Sequence, residues 1–127
     1  MAKALIWWLL LGSLVQARPP VVRLKVWRNG SRIHVRVTAH NPDRRWHGPF
    51  TMNLKARRAQ VGPWIPLRTW KSVPPLGPGH RVSREFFQEQ SVLLRALSAT
   101  GPLQLRASID GPGFQGSQEL IDYLPGR

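Results

Sequence analysis

Residues 22–39 read VRLKVWRNGSRIHVRVTA, and this stretch decides the fold. Apolar and polar residues alternate on both sides of a break at residues 28–31. Such alternation is the period of a β-strand with one buried face. Asn29-Gly30, inside the break, is the dipeptide that most readily forms a two-residue hairpin turn. The stretch therefore predicts a β-hairpin with one apolar face.

The turn also predicts which residues lie opposite each other. With Asn29-Gly30 as the two turn residues, Val26 faces Ile33 on the apolar side of the hairpin. The other side then carries mostly basic residues, in like-charged pairs that disfavour folding unless an anion or salt screens them. The predicted pairs on that side are Trp27 with Arg32, Lys25 with His34, and Arg23 with Arg36.

The charge of the whole chain points to an anionic partner. The 127 residues include 19 Lys and Arg against 6 Asp and Glu, a formal charge of +13. Such a surplus favours binding to a polyanion. Because residues 1–17 have the pattern of a secretory signal peptide, we expect an extracellular glycosaminoglycan such as heparan sulfate rather than nucleic acid. The predicted polyanion-binding residues are Arg23, Lys25, Arg32, His34 and Arg36.

Residues 1–17 have the pattern of a cleaved signal peptide. Lys3 precedes an apolar run over residues 4–14, and Val15-Gln16-Ala17 provides small residues for cleavage after Ala17. The eleven residues of this run span about 16 Å as a helix, too little for a membrane anchor. We therefore predict a secreted, extracellular protein whose domain covers residues 18–127. No cysteine is present, so this domain folds without disulfides.

Further short strands follow the hairpin. Alternation over residues 50–57, 64–70, 103–110 and 119–124 predicts strands, and Pro66 favours an edge position because it cannot donate to a ladder. Residues 83–97 fit either one helix, with Ser83 as its cap, or two strands over 82–87 and 92–96. The prediction is an all-β fold: a single antiparallel β-sandwich of seven or eight short strands.

The order of these segments carries a family resemblance. Pro20 precedes the first strand, and Leu94 and Leu97 precede the turn before the sixth strand. Matching residues in the third and fourth strands are Phe50, Leu54, Arg57, Arg58, Gly62 and Trp64. The pattern resembles a fibronectin type III domain, or more generally an immunoglobulin-like sandwich. The resemblance implies a binding module, although Val37 and Leu103 stand where that family has tryptophan and tyrosine.

Other groups of residues suggest additional surfaces. A tryptophan-bearing edge formed by Trp64, Arg68 and Trp70, on one strand face, is predicted to bind protein. If that edge dominates, the protein is instead a soluble signalling or adhesion ligand that docks on a receptor. A membrane-disrupting host-defence protein is a third alternative, provided that residues 83–97 form a basic amphipathic helix. A secondary basic patch is predicted at Arg44, Arg45, Lys55, Arg57 and Arg58.

The sequence favours binding over catalysis. No motif ties the acidic residues together, and the nucleophile elbow, P-loop and His-Glu-x-x-His patterns are absent. The four histidines are too scattered to predict a metal site. We therefore predict no enzyme activity, no catalytic residue, no cofactor and no metal. Asn29-Gly30-Ser31 is an N-glycosylation sequon at the hairpin tip, which makes Asn29 the predicted glycosylation site.

Overall fold

The computed structural model describes residues 18–59, 61–111 and 118–125. The predicted signal peptide, residues 1–17, lies outside the described residues. Within the described ranges the chain forms seven strands and a short helix. Their bounds are β1 Val21–Asn29, β2 Arg32–His40, β3 Phe50–Arg58, β4 Ile65–Val73, β5 Arg81–Glu89, α1 Gln90–Ala96, β6 Leu103–Asp110 and β7 Gln118–Tyr123.

The strands form two antiparallel sheets. The first sheet has the order β1-β2-β5 and the second has the order β4-β3-β6-β7. Alternating residues of both sheets are buried in one shared hydrophobic core. Ile33 and Val35 on β2, Leu54 on β3 and Leu105 on β6 have no exposed surface. The prediction of a mostly β fold with antiparallel strands is confirmed, with one short helix in addition.

The β1–β2 turn differs from the predicted one. Its two central residues are Gly30 and Ser31, because Asn29 pairs with Arg32. Gly30 has a φ of +61° whereas Ser31 keeps a negative φ, the pattern of a type II′ turn with glycine first. The predicted register is therefore wrong by two residues, which leaves every side chain on its predicted face. The observed pairs are Val26–Val35, Leu24–Val37, Trp27–His34, Lys25–Arg36 and Arg23–Thr38.

Residues 81–97 follow neither of the two predicted alternatives. The first half is strand β5, whose Phe86 packs against the core, and the second half is helix α1. Leu93 and Leu97, four residues apart, are both buried on one side of this helical turn. Seven residues make a helix of about 10 Å, so the condition for the host-defence alternative, a basic helix over residues 83–97, is not met.

Two of the edge strands, β4 and β1, have features that suit an edge position. β4 lies at the edge of the second sheet, so the edge position predicted from Pro66 is confirmed. β1 lies at the edge of the first sheet, and the Leu24 N–H donates to Glu119 of β7 at 3.1 Å. That bond gives an outward-pointing N–H of β1 a partner and links the two sheets.

A buried asparagine joins two loops at one end of the molecule. Asn41 has no exposed surface, and its Nδ2 donates to the carbonyl oxygens of Arg45 at 2.7 Å and Leu76 at 2.9 Å. Its Oδ1 accepts the Asp43 N–H at 2.9 Å. The β2–β3 loop is thereby fixed to the β4–β5 loop directly after the last residue of β2.

Candidate anion-binding site

The outer face of the first sheet carries all five predicted polyanion-binding residues. Residues that alternate with the buried ones on β1, β2 and β5 point away from the core. Their pairing sets them in five rows across the sheet. The rows are Val21–His40–Arg81, Arg23–Thr38–Ser83, Lys25–Arg36–Glu85, Trp27–His34–Phe87 and Asn29–Arg32–Glu89.

An aromatic stack crosses this face at the fourth row. The rings of Trp27 and His34 lie 5.3 Å apart at 15°, and those of His34 and Phe87 lie 5.7 Å apart at 27°. The Arg36 guanidinium and the Lys25 ammonium lie 5.3 and 5.7 Å from the Trp27 ring centre. Such cross-strand aromatic pairs stabilise a sheet by about 0.5–1.5 kcal/mol each. His34 therefore packs between two aromatic rings.

Two arginines of β2 are neutralised by carboxylates of β5. Arg36 Nη2 lies 2.8 Å from Glu85 Oε1, and Arg32 Nε lies 3.2 Å from Glu89 Oε1. These carboxylates were not predicted as part of the face, because residues 81–97 were not resolved as a strand by periodicity. Reading residues 81–89 as alternating would have placed Glu85 and Glu89 on one side together with Arg81 and Phe87.

Glu89 also links the hairpin tip to the end of β5 through hydrogen bonds. The Ser31 hydroxyl, and after it the Arg32 guanidinium, hold the pKa of the Glu89 carboxyl below its ordinary value of 4.5. The Gln90 N–H donates to the Ser31 carbonyl at 2.8 Å in the same place. These contacts fix the end of the face that carries Asn29.

The opposite end of the face is a basic cavity. A cavity of about 430 Å³ is lined by Val21, Arg23, Thr38, His40 and Arg81. In the described part of the chain, no carboxylate lies within ion-pair distance of the two guanidinium groups. The Thr38 and Ser83 hydroxyls lie 2.9 Å apart in the row beside it. Two guanidinium groups, an imidazole and a hydroxyl form a suitable donor set for an oxyanion.

The net charge of the whole face remains positive. Five Lys and Arg side chains stand against two carboxylates, a formal excess of three charges. Those without a carboxylate partner in the described ranges are Arg23, Lys25 and Arg81. Sequence reasoning missed Arg81 and His40, since neither belongs to the pattern of the hairpin face on which the prediction rests.

The predicted secondary basic patch is divided by the fold. Arg44 and Arg45 lie in the β2–β3 loop, ahead of Phe50. Lys55 and Arg57 lie on the outer face of the second sheet, with Lys55 about 17 Å along β3 from Phe50. Arg58, the last residue of β3, lines a separate cavity with residues 96–98. The structure brings Lys55 and Arg57 together and leaves the loop arginines apart from them.

Part of the loop charge is compensated locally. His47 Nε2 lies 2.8 Å from Asp43 Oδ2, and the Arg44 N–H donates to Asp43 Oδ1 at 2.8 Å. The hydrogen bond from His47 is the main cause that lowers the pKa of the Asp43 carboxyl.

Trp64 and Trp70 do not share a strand face, so that prediction is wrong. Trp70 pairs with the buried Met52 and packs against the core. Trp64 lies on the outer face of the second sheet, because the guanidinium carbons of Arg57 and Arg106 are each 4.5 Å from its ring centre. The register shift between Leu54 and Lys55 leaves one extra residue, Leu67, in β4 and reverses the alternation. Arg68, exposed on this edge strand, is opposite Leu54.

The described residues contain neither a membrane-spanning helix nor a cluster of metal-ligating side chains. No helix among them has the length and apolar character needed to cross a membrane. In the same ranges, no three histidine or acidic side chains are grouped as metal ligands would be.

Comparison with known sequences gives no relative from which to transfer a role. No protein-family profile matches the chain, and no curated protein matches it significantly.

Proposed function

We propose that this protein is a secreted, non-enzymatic binding module that attaches to extracellular polyanions such as heparan sulfate. The observation that carries the proposal is the basic cavity of the first sheet, where Arg23 and Arg81 converge with His40 and Thr38. Guanidinium groups donate planar pairs of hydrogen bonds that match sulfate and carboxylate oxygens. Lys25 extends this site by two residues along β1.

The remainder of the face supports contact with a linear chain. The five rows extend from Val21 to Asn29, eight residue steps or about 26 Å along β1, so that several anionic groups of one polymer have room. Arg32 and Arg36 are already paired with carboxylates, so they contribute less than the cavity end. The polymer is therefore proposed to bind at the Arg23 end and to extend towards the aromatic stack.

The proposal includes a fibronectin type III-like class for the domain. Seven strands in two antiparallel sheets, the absence of cysteine and the buried Pro20 ahead of β1 are consistent with that class. Val37, fully buried on β2, and Leu103, the first residue of β6, keep the departures noted in the sequence.

Secretion and glycosylation complete the proposal. Cleavage after Ala17 delivers the domain to the extracellular space, and Asn29 carries an N-linked glycan. Asn29 is exposed at the end of β1, beside the two-residue turn. It lies at the end of the face opposite to the basic cavity, so a glycan there leaves that cavity open. Mass spectrometry of the protein from the medium of secreting cells tests both statements.

The test of polyanion binding is the salt dependence of heparin affinity. Each cation that displaces a counterion contributes roughly one unit to the slope of log Kd against log salt. Arg23→Gln combined with Arg81→Gln is expected to lower that slope by about two units. Arg68→Gln combined with Arg95→Gln removes the same charge away from the face and is the matched control. An equal decrease of the salt slope in the two double variants would contradict a localised site.

A further inference from the structure

A second group of cations occupies the outer face of the second sheet. Lys55 on β3 lies directly opposite Arg106 on β6, and Arg57 lies two residues further along β3. All three side chains are half-buried. Arg106 was not among the residues predicted from the sequence.

No carboxylate of the described residues neutralises this group. Asp110 lies 3.4 Å from Asn53, and Asp122 lies 3.4 Å from Gln104, but neither is within ion-pair distance of the three cations. Like charges placed directly opposite each other destabilise a sheet. The fold therefore accepts a local cost in keeping Lys55 beside Arg106.

Trp64 and Gln104 hold these cations in place without cancelling their charge. The Arg57 and Arg106 guanidinium carbons each lie 4.5 Å from the Trp64 ring centre. The Arg57 Nε donates to Gln104 Oε1 at 2.8 Å. An aromatic ring attracts a cation through its quadrupole but carries no net charge. Both guanidinium groups therefore keep their full charge, and their remaining N–H groups can donate to an external anion.

We infer that this group is a second polyanion site, and that the protein is bivalent. The ligand class, a sulfated polysaccharide, rests on the proposed function, and charge complementarity with Lys55, Arg57 and Arg106 supports it here. Packed sheets lie about 10 Å apart, so their outer faces point to opposite sides of the sandwich. One extended segment of polymer cannot lie on both faces. Each face therefore takes its own segment, and the protein cross-links polyanion chains.

Stoichiometry with a short ligand distinguishes one site from two. The probe is a heparin octasaccharide, titrated calorimetrically into the full domain. The first-face variant is Arg23→Gln with Arg81→Gln, and the second-face variant is Lys55→Gln with Arg106→Gln. We expect two octasaccharides per wild-type molecule, one per molecule of either variant, and none when all four substitutions are combined. Urea unfolding of each variant checks that the domain remains folded.

Light scattering with long-chain heparin tests cross-linking. The wild type is expected to form large particles, with a maximum at intermediate ratios of protein to heparin, and either single-face variant is expected to form none.

The possible outcomes separate this inference from the proposed function. One octasaccharide per wild-type molecule, with binding lost in the first-face variant alone, overturns the second site and leaves the proposed function intact. One octasaccharide per molecule, with binding lost in the second-face variant alone, overturns both bivalency and the first-face site. No binding of heparin by the wild type overturns the proposed function and this inference together.

Discussion

The outer faces of both sheets hold arginines over aromatic rings, but only the first sheet also pairs its arginines with carboxylates. On the first sheet, Arg32 and Arg36 are held by Glu89 and Glu85, which cancel the charge that they position. On the second sheet, Arg57 and Arg106 are held against Trp64, which leaves their charge available. Counting basic residues on a face therefore overestimates its attraction for anions. What matters is whether a cation that packs on a ring is also paired with a carboxylate.

Truncation of the core beneath both faces is expected to have the largest effect. Leu54→Ala removes a fully buried side chain of β3 and should lower the free energy of unfolding by about 2–5 kcal/mol. Both faces rest on this core, so heparin binding should fall only as the folded fraction falls. Urea unfolding followed by tryptophan fluorescence measures the change. Leu120→Ala, at a 49% exposed position, is the control and should cost less than about 0.5 kcal/mol.

A change in the hairpin turn of the first sheet should lower the stability of the domain. Gly30→Ala places a side chain at a φ of +61°, which costs about 1–2 kcal/mol, although the space around it is open. The matched control is Gly101→Ala, ahead of β6, where space is also open but φ is not in that region. Equal destabilisation by both, measured by urea unfolding, would contradict a strained turn as the cause.

Removal of a carboxylate should strengthen polyanion binding by the first face. Glu85→Gln frees Arg36, so the slope of log Kd against log salt should steepen by roughly one unit. The lost ion pair is exposed, so stability should change by less than about 1 kcal/mol.

The control for Glu85→Gln is made in the second-face variant, Lys55→Gln with Arg106→Gln. There, Asp110→Asn adds the same charge on the other side of the sandwich and should leave the heparin slope unchanged. An increase as large as that of Glu85→Gln would show that net charge, and not the first face, sets affinity.

The smallest expected effect is a pH dependence of stability that comes from Glu89 at the hairpin tip. The Glu89 pKa is lowered in the folded protein, so its contribution to stability is complete above 4.5 and is lost as the pH falls through the folded value. The stability difference between wild type and Glu89→Gln should therefore shrink below pH 4.5. Urea midpoints between pH 6 and pH 3 measure it. Ser91→Ala, at an exposed position of α1, should show a constant difference.

The first face was predictable only as far as its hairpin extends. The alternation of Arg23, Lys25 and Arg36 with apolar residues placed these side chains correctly on one side. The partner strand is more than 40 residues away in sequence, and its periodicity was compatible with a helix. Arg81 and Glu85 therefore entered the face only through the sheet pairing.

The second face was predictable to a smaller extent. Lys55 and Arg57 alternate on β3, but nothing local relates them to Arg106, which lies on β6. The position of Trp64 depends on the extra residue at Leu67, which reverses the alternation of β4. A bulge of this kind forms from the pairing of two strands, so period-2 reasoning within one strand assigns Trp64 and Trp70 to the same side.

The sequence by itself determined which side chains of most strands point inward, because alternation along a strand is a local property with a period of two residues. It also determined the charge excess, the edge position of Pro66 and the strand at residues 103–110. Tertiary structure decided the hairpin register and the neighbours of Arg32, Arg36 and Arg106. Those neighbours come from strands that are distant in the chain, and their pairing is fixed by the shared core rather than by any local pattern.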